Sequence, residues 1–283
     1  MGQAGAAVAS GRVSASPVGE PMPLYEHLAG SRPLLISFPH SGTFVPQDLA
    51  VRLTRAAQEL PDTDWFVPEL YHFHRELGAS IIRATHTRYV VDLNRPPDGA
   101  PLYPGRRETT VCPTESFDGE PLYVGGQDPT NSEIAERLRH YWQPYHDKLA
   151  EAAQDLVRRH GYCILWDAHS IHSVVPALFE GRLADLNIGT SGGRSCSPKL
   201  PARLLALLRA QKTFSHVLDG RFKGGYITRH YGNPAANIHA VQLEIAQRAY
   251  LREARTPEFS AARANPLSSL LRELLLAVLD AGV

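Results

Sequence analysis

His40, Asp64, the Asn94-Arg95 pair, Asp167, His169 and Glu244 are polar groups that each stand at or beside the end of an expected apolar element. Imidazole titrates near neutrality and is the commonest metal ligand among side chains. Two imidazoles and one carboxylate from separate elements would give a zinc ion three ligands and leave one position open, as in catalytic zinc sites. A further carboxylate close by is a general base, and an Asn-Arg pair offers a fork for a substrate carboxylate. Taken singly, each residue has a plainer reading. His40 in its Pro-His-Ser-Gly turn is a satisfied structural imidazole, and Asp62 or Asp64 is the N-cap of the next helix. The recurrence of the pattern on successive elements is what argues for a site.

The elements that must position these groups read as alternating strands and helices. Residues 162–166 (YCILW) form a short buried strand, and the polar run Asp167, His169, Ser170 and His172 reads as the turn after it. A strand that ends in acid and imidazole is how an open α/β sheet presents chemistry at its carboxyl edge. Residues 33–38 repeat the arrangement ahead of His40. The spacing predicts helices over 46–60, 65–77, 131–160, 199–210 and 267–279, and strands over 79–83, 88–93, 214–218 and 238–245, with Glu244 near the end of the last. Residues 94–129 are long, irregular and dense in Pro, Gly and Arg, which marks a functional loop. Residues 178–195 and 220–237 are Gly-rich loops over the same edge.

Composition narrows the class. Hydrophobic residues make up 43% and charged residues 20% of the 283 positions, ordinary for a soluble globular protein. Lys+Arg and Asp+Glu balance at 29 each, so no basic footprint points to nucleic acid. The deviation is His, at 13. Cys112, Cys163 and Cys196 are odd in number and lack a CxxC, which excludes a thiolate zinc site and points to a reduced, cytoplasmic protein. No apolar run is long enough to span a bilayer. Residues 1–21, rich in Gly, Ala, Ser and Val, read as a flexible tail.

The stretches PHSG (39–42), DTDW (62–65), RYVVDLNRPP (88–97), WDAHSI (166–171), LADLNIGT (183–190), FKGGYITRHYG (222–232) and AVQLEIAQRAY (240–250) together resemble the N-formylglutamate amidohydrolase family. The resemblance covers most of the chain between about residues 30 and 255. It implies a tail over 1–25 and a catalytic domain over 26–283, a three-layer α/β/α fold with a mixed, mostly parallel sheet similar to the zinc carboxypeptidases. It implies a zinc-dependent hydrolase, or one using another divalent metal, that splits N-formyl-L-glutamate into formate and L-glutamate at the end of a histidine degradation route. His40 and His169 are then metal ligands with Asp64 as the acidic one and Asp62 the alternative, Glu244 is the base, and Asp167 orients His169. Asn94 and Arg95 bind a substrate carboxylate, with Arg182, Arg229, Tyr226 and His230 assisting and Arg88 and Arg107 in reserve. The partner is a small dicarboxylate. An aspartoacylase-like hydrolase with its acyl room near residues 189–193, or a metal-free carboxylate binder, remains as the alternative.

Overall fold

The computed structural model describes residues 22–254 and 257–283. Seven strands form its main sheet: β1 (Tyr25–Leu28), β2 (Leu34–Phe38), β3 (Ser80–Ala84), β4 (Cys163–Ile171), β5 (Leu186–Gly189), β6 (His216–Leu218) and β7 (Ile238–Ala246), in the order β1-β3-β2-β4-β7-β5-β6. β3, β2, β4 and β7 run parallel, while β1 and β5 join antiparallel to β3 and β7. The central strands are buried along their full length because helices cover both faces.

Alternation along β4 and β7 divides the core. Ile164, Trp166 and Ala168 face one side with Val241, Leu243 and Ile245, against α2 (Val67–Leu70), α5 (Lys199–Ala210) and α7 (Ala261–Leu279). Cys163, Leu165 and Ala240 face the other, against Leu149, Ala152, Ala153 and Leu156 of α4 (Gln143–His160). The expected α/β/α layering and mostly parallel sheet are therefore present. By the same two-residue period, Asp167, His169, Gln242 and Glu244 share the α4 side at the carboxyl ends of neighbouring strands, with His169 directly opposite Glu244.

Several elements differ from the sequence expectation. β4 does not stop at Trp166 but runs on through Asp167, His169 and Ser170 to Ile171. Residues 88–93 form turns rather than a strand, because Arg88 and Asp92 pair four residues apart (2.5 Å) and Asp92 Oδ1 accepts from the Asn94 amide (2.9 Å). The helix expected over 46–60 shrinks to α1 (Gln47–Ala50) and a 3₁₀ turn, the chain between them being drawn off by the bond from Thr54 N to Leu122 O. That over 65–77 reduces to α2 and a 3₁₀ turn. The residue at the N-cap of α2 is Phe66, so neither Asp62 nor Asp64 caps it. The helix over 131–160 is interrupted by a π turn, Leu138–Trp142, between α3 (Asn131–Arg137) and α4. Tyr25 opens β1, one residue inside the tail expected over 1–25, and residues 1–21 of that tail lie outside the described residues. No helix among the described residues is long and apolar enough to cross a membrane, and the three cysteines are free and buried.

The π turn and the start of α4 hold the loop that carries Asn94 and Arg95. Trp142 Nε1 donates to Arg95 O (3.1 Å), and His146 Nε2 donates to Leu93 O (2.9 Å) while its Nδ1 lies 3.0 Å from the Tyr231 hydroxyl, which donates to His146 O (3.0 Å). Burial drives the His146 imidazole down to about 3, so it stays neutral in the folded protein. The unfolded chain takes up that proton near pH 6.5. The contribution of His146 is thus complete above pH 6.5 and is lost progressively as pH falls towards 3, at about 1.36 kcal/mol for each pH unit in that window. We expect His146→Gln to be less stable at pH 7 yet to lose less further stability between pH 6.5 and 4. Urea midpoints across that range check this, and parallel declines in the two proteins would reject it.

Candidate active site

His40 lies just past the end of β2 in a turn that requires Gly42, where a Cβ would come within 2.3 Å of the His86 carbonyl oxygen. Asp64 follows the 61–63 turn, and its backbone N–H donates to His40 O (3.0 Å), which ties the two segments together. β4, parallel to β2, delivers His169 to the same edge. One donor atom from each of His40, Asp64 and His169 falls within 4.8 Å of the others, and all three residues are buried. Their separate origins meet because parallel strands end on one edge.

The outer nitrogens of both imidazoles meet carboxylates. His40 Nε2 donates to Asp92 Oδ1 (2.8 Å), which leaves Nδ1 facing Asp64 Oδ2 at 3.8 Å. His169 Nε2 lies 3.0 Å from Asp167 Oδ2, and its Nδ1 lies 3.1 Å from Asp64 Oδ2. Carboxylates in these positions fix ring orientation and raise ligand basicity. Burial, then Arg88, pushes the His40 imidazole below its usual value, which favours the neutral form that binds metal. Burial would depress His169 too, but Asp167 and Asp64 outweigh it and hold this imidazole well above its usual value. Burial works against the charge of Asp92, yet Arg88 and His40 hold it well below the usual carboxylate range.

These residues fit a divalent cation. Asp64 Oδ1 and Asp167 Oδ1 are buried without a hydrogen-bond partner, a costly state that added positive charge at the centre relieves. Two imidazoles with seated outer nitrogens and a carboxylate with a free oxygen are a donor set suited to zinc.

Glu244 faces this centre from β7. Gly225 N donates to Gln242 Oε1 (2.6 Å), and that anchored amide donates through Nε2 to Glu244 Oε2 (3.1 Å). Burial raises the Glu244 carboxyl to about 8, while His169 opposes the rise. A cation nearby would bring the value down again, since positive charge favours carboxylate over carboxylic acid. The arrangement can therefore hold, accept and release a proton next to the metal-ready cluster.

Above the centre opens a solvent-open cleft walled by Arg88, Arg95, Arg107 and Arg221 with Tyr103, Phe117 and Phe222. A concave wall with a few convergent charged groups is the usual form of a small-molecule site. Arg88 is buried, donating to Asp92 and to Asp62 O (3.3 Å) and lying over the Phe117 ring (4.5 Å). Arg95 bonds only neutral acceptors, Thr109 O (2.9 Å), Thr109 Oγ1 (3.2 Å) and Asn94 O (3.2 Å).

Other candidates end up elsewhere. Asp62 turns away from the cluster, its carboxylate accepting from Phe117 N (3.0 and 3.2 Å) and pushed up to about 6 mainly by burial. Asn94 borders the cleft, but its Oδ1 accepts from Ile227 N (2.8 Å) and its Nδ2 reaches Asp167 and His169 (3.3 and 2.9 Å), so the amide braces the centre instead of standing free. Arg182 is exposed and off the cleft wall. Arg229 lies behind the wall, donating to Gly224 O (2.8 Å) and Leu102 O (2.7 Å) over the Tyr103 ring. Tyr226 and His230 stack on each other (4.8 Å) outside the cleft. Residues 189–193 do not line it either. Sequence reasoning misses Asp92, Gln242 and Arg221; the only signal is that each falls in or beside one of the family-like stretches.

A mixed α/β sheet with two imidazoles and several carboxylates gathered at its carboxyl edge, under an arginine-walled cleft, is the frame of a small-molecule enzyme whose centre is ready for metal. A family model for N-formylglutamate amidohydrolases matches residues 32–251. The chain is 47% identical to an N-formylglutamate deformylase of Pseudomonas putida over 253 residues, covering 89% of this chain and 94% of that one. Against an N-formylglutamate deformylase of Pseudomonas aeruginosa the figures are 49%, 89% and 95%. The crystal structure of an N-formylglutamate amidohydrolase from Ralstonia eutropha JMP134 superposes with a TM-score of 0.75 at 25% identity, covering 91% of this chain and 96% of that one. The chain belongs to the N-formylglutamate amidohydrolase family.

Proposed function

We propose that this protein is a zinc-dependent hydrolase of N-formyl-L-glutamate, releasing formate and L-glutamate as the last step of a histidine degradation route in the cytoplasm. The observation that carries the reading is the convergence of His40, Asp64 and His169 within 4.8 Å beneath the arginine-walled cleft, with Glu244 opposite His169. The names of the relatives supply the substrate.

When bound, a divalent ion supplies Lewis acidity at the formyl carbonyl and makes water more acidic. His40, Asp64 and His169 would hold it, with Asp92 and Asp167 keeping the two rings in register. Arg95 takes the carboxylate next to the formamide nitrogen and orients the carbonyl. Glu244 accepts a proton from the attacking water and passes it to the departing amine nitrogen. Arg88, within the field of Glu244, lends positive charge to the oxygen that turns anionic as the carbonyl is attacked.

The test is formate release from N-formylglutamate by the purified protein, with N-formylaspartate and N-acetylglutamate alongside. Activity on N-formylglutamate should disappear with a strong chelator and return with added zinc. Turnover that survives complete metal removal sinks the metal assignment, and preference for the acetyl compound moves the substrate to a larger acyl group.

A further inference from the structure

We infer that Arg221 is the residue that selects a substrate with a second carboxylate, by pairing with the side-chain carboxylate of the amino-acid portion. The inference rests on the function proposed above and names the origin of its preference for a dianion. Arg221 stands on the cleft wall within reach of the rings of Tyr103 (5.4 Å) and Phe222 (5.1 Å), its Nε donating to Leu178 O (3.0 Å). Its Nη1 is shut off from solvent and has no acceptor. A charged group in that state costs free energy until an anion arrives.

The other cleft arginines are committed differently. Arg88 is held by Asp92, and Arg107 is exposed and paired with Glu115 (2.5 Å). Arg95 and Arg221 are the cleft arginines with no ion pair to a carboxylate among the described residues; Glu108 sends its field to Arg221 but forms no ion pair with it. Burial, then Arg106 and less so Arg95, disfavours the charge on Arg221, so the wall carries like charges in one another's field. A ligand with two carboxylates relieves both arginines, whereas one with a single carboxylate leaves one guanidinium uncompensated. Of these two, Arg95 also acts on Asp92 beside His40, so it is the nearer to the reacting centre. It takes the carboxylate adjacent to the formamide, and Arg221 takes the one further out.

The experiment compares kcat/KM for N-formylglutamate and N-formylglutamine, which differ only in the distal carboxylate, in the wild type, Arg221→Met and Arg221→Lys. A charge-assisted pair lost at this position should lower kcat/KM for N-formylglutamate by roughly 10–100-fold in Arg221→Met, mainly through KM. N-formylglutamine should change less than about threefold in the same variant, which also shows that the variant is folded. Arg221→Lys, which keeps the charge without the fork, should fall between. Equal losses on both substrates would make Arg221 merely structural, and no loss on either would move the distal carboxylate elsewhere; each overturns the inference. A wild type that releases no formate from N-formylglutamate would instead remove the function on which it rests.

Discussion

Glu244→Gln is expected to keep one equivalent of zinc and to lose turnover by roughly 10²–10⁴-fold, the usual contribution of a positioned general base. The change preserves size and leaves an oxygen that can still accept from Gln242 Nε2, now at 3.1 Å from Glu244 Oε2. The strand pairing that sets this side chain opposite His169 uses backbone alone, so the register of β4 and β7 is unaffected. What disappears is the ability to carry a proton. With His40, Asp64 and His169 as the proposed ligand set, zinc content measured on the purified variant should match the wild type. KM for N-formylglutamate should move little, since the arginines proposed to meet the carboxylates stand on the cleft wall, apart from Glu244. Near-normal turnover would reassign the base; loss of zinc together with turnover would make Glu244 a ligand.

That prediction leans on the part of the site most legible in the sequence. Residues 238–245 read as a strand from their alternation alone, and a period of two along it is enough to set Glu244 on the face away from Leu243 and Ile245. The end of β4 is less legible. Asp167, His169 and Ser170 read as a turn because polar residues in succession lack an apolar period, yet ion pairs to Asp64 and hydrogen bonds from Asn94 and Gln247 compensate their burial in the strand. The least legible parts are the loops. RYVVDL has strand composition, but the Arg88–Asp92 pair and the bond from Asp92 N to Val111 O fold it into turns, and only then does Asp92 reach His40. Which arginines face the cleft depends on how residues 94–117 and 220–225 fold over the sheet edge. Local sequence therefore leaves Arg182 and Arg221 alike, and tertiary contacts put only Arg221 on the wall.

His169→Ala should abolish both metal and turnover, and a measurement independent of activity separates the two losses. In the proposed metal site the ring supplies one of three donors; it also separates two buried carboxylates, with Asp64 Oδ2 at 3.1 Å from Nδ1 and Asp167 Oδ2 at 3.0 Å from Nε2. Deleting it leaves a cation with two ligands and leaves both carboxylates without their shared partner, so the apo variant should also be less stable than the wild type. Zinc that binds only the folded wild-type protein raises its Tm by mass action, in proportion to the logarithm of free metal over Kd. The same titration on His169→Ala should give a Tm that barely responds. Asp167→Asn is the graded companion. It keeps His169 in place but replaces the carboxylate behind Nε2, and weakening of metal affinity by about 10–100-fold is the expected scale for such a partner. The ordering of zinc response, wild type above Asp167→Asn above His169→Ala, follows from a ligand and its orienting carboxylate acting through one ring. A His169→Ala protein that retains a full equivalent of zinc would remove the imidazole from the ligand set. An Asp167→Asn protein as metal-poor as His169→Ala would instead make Asp167 itself a ligand, through the Oδ1 that has no hydrogen-bond partner.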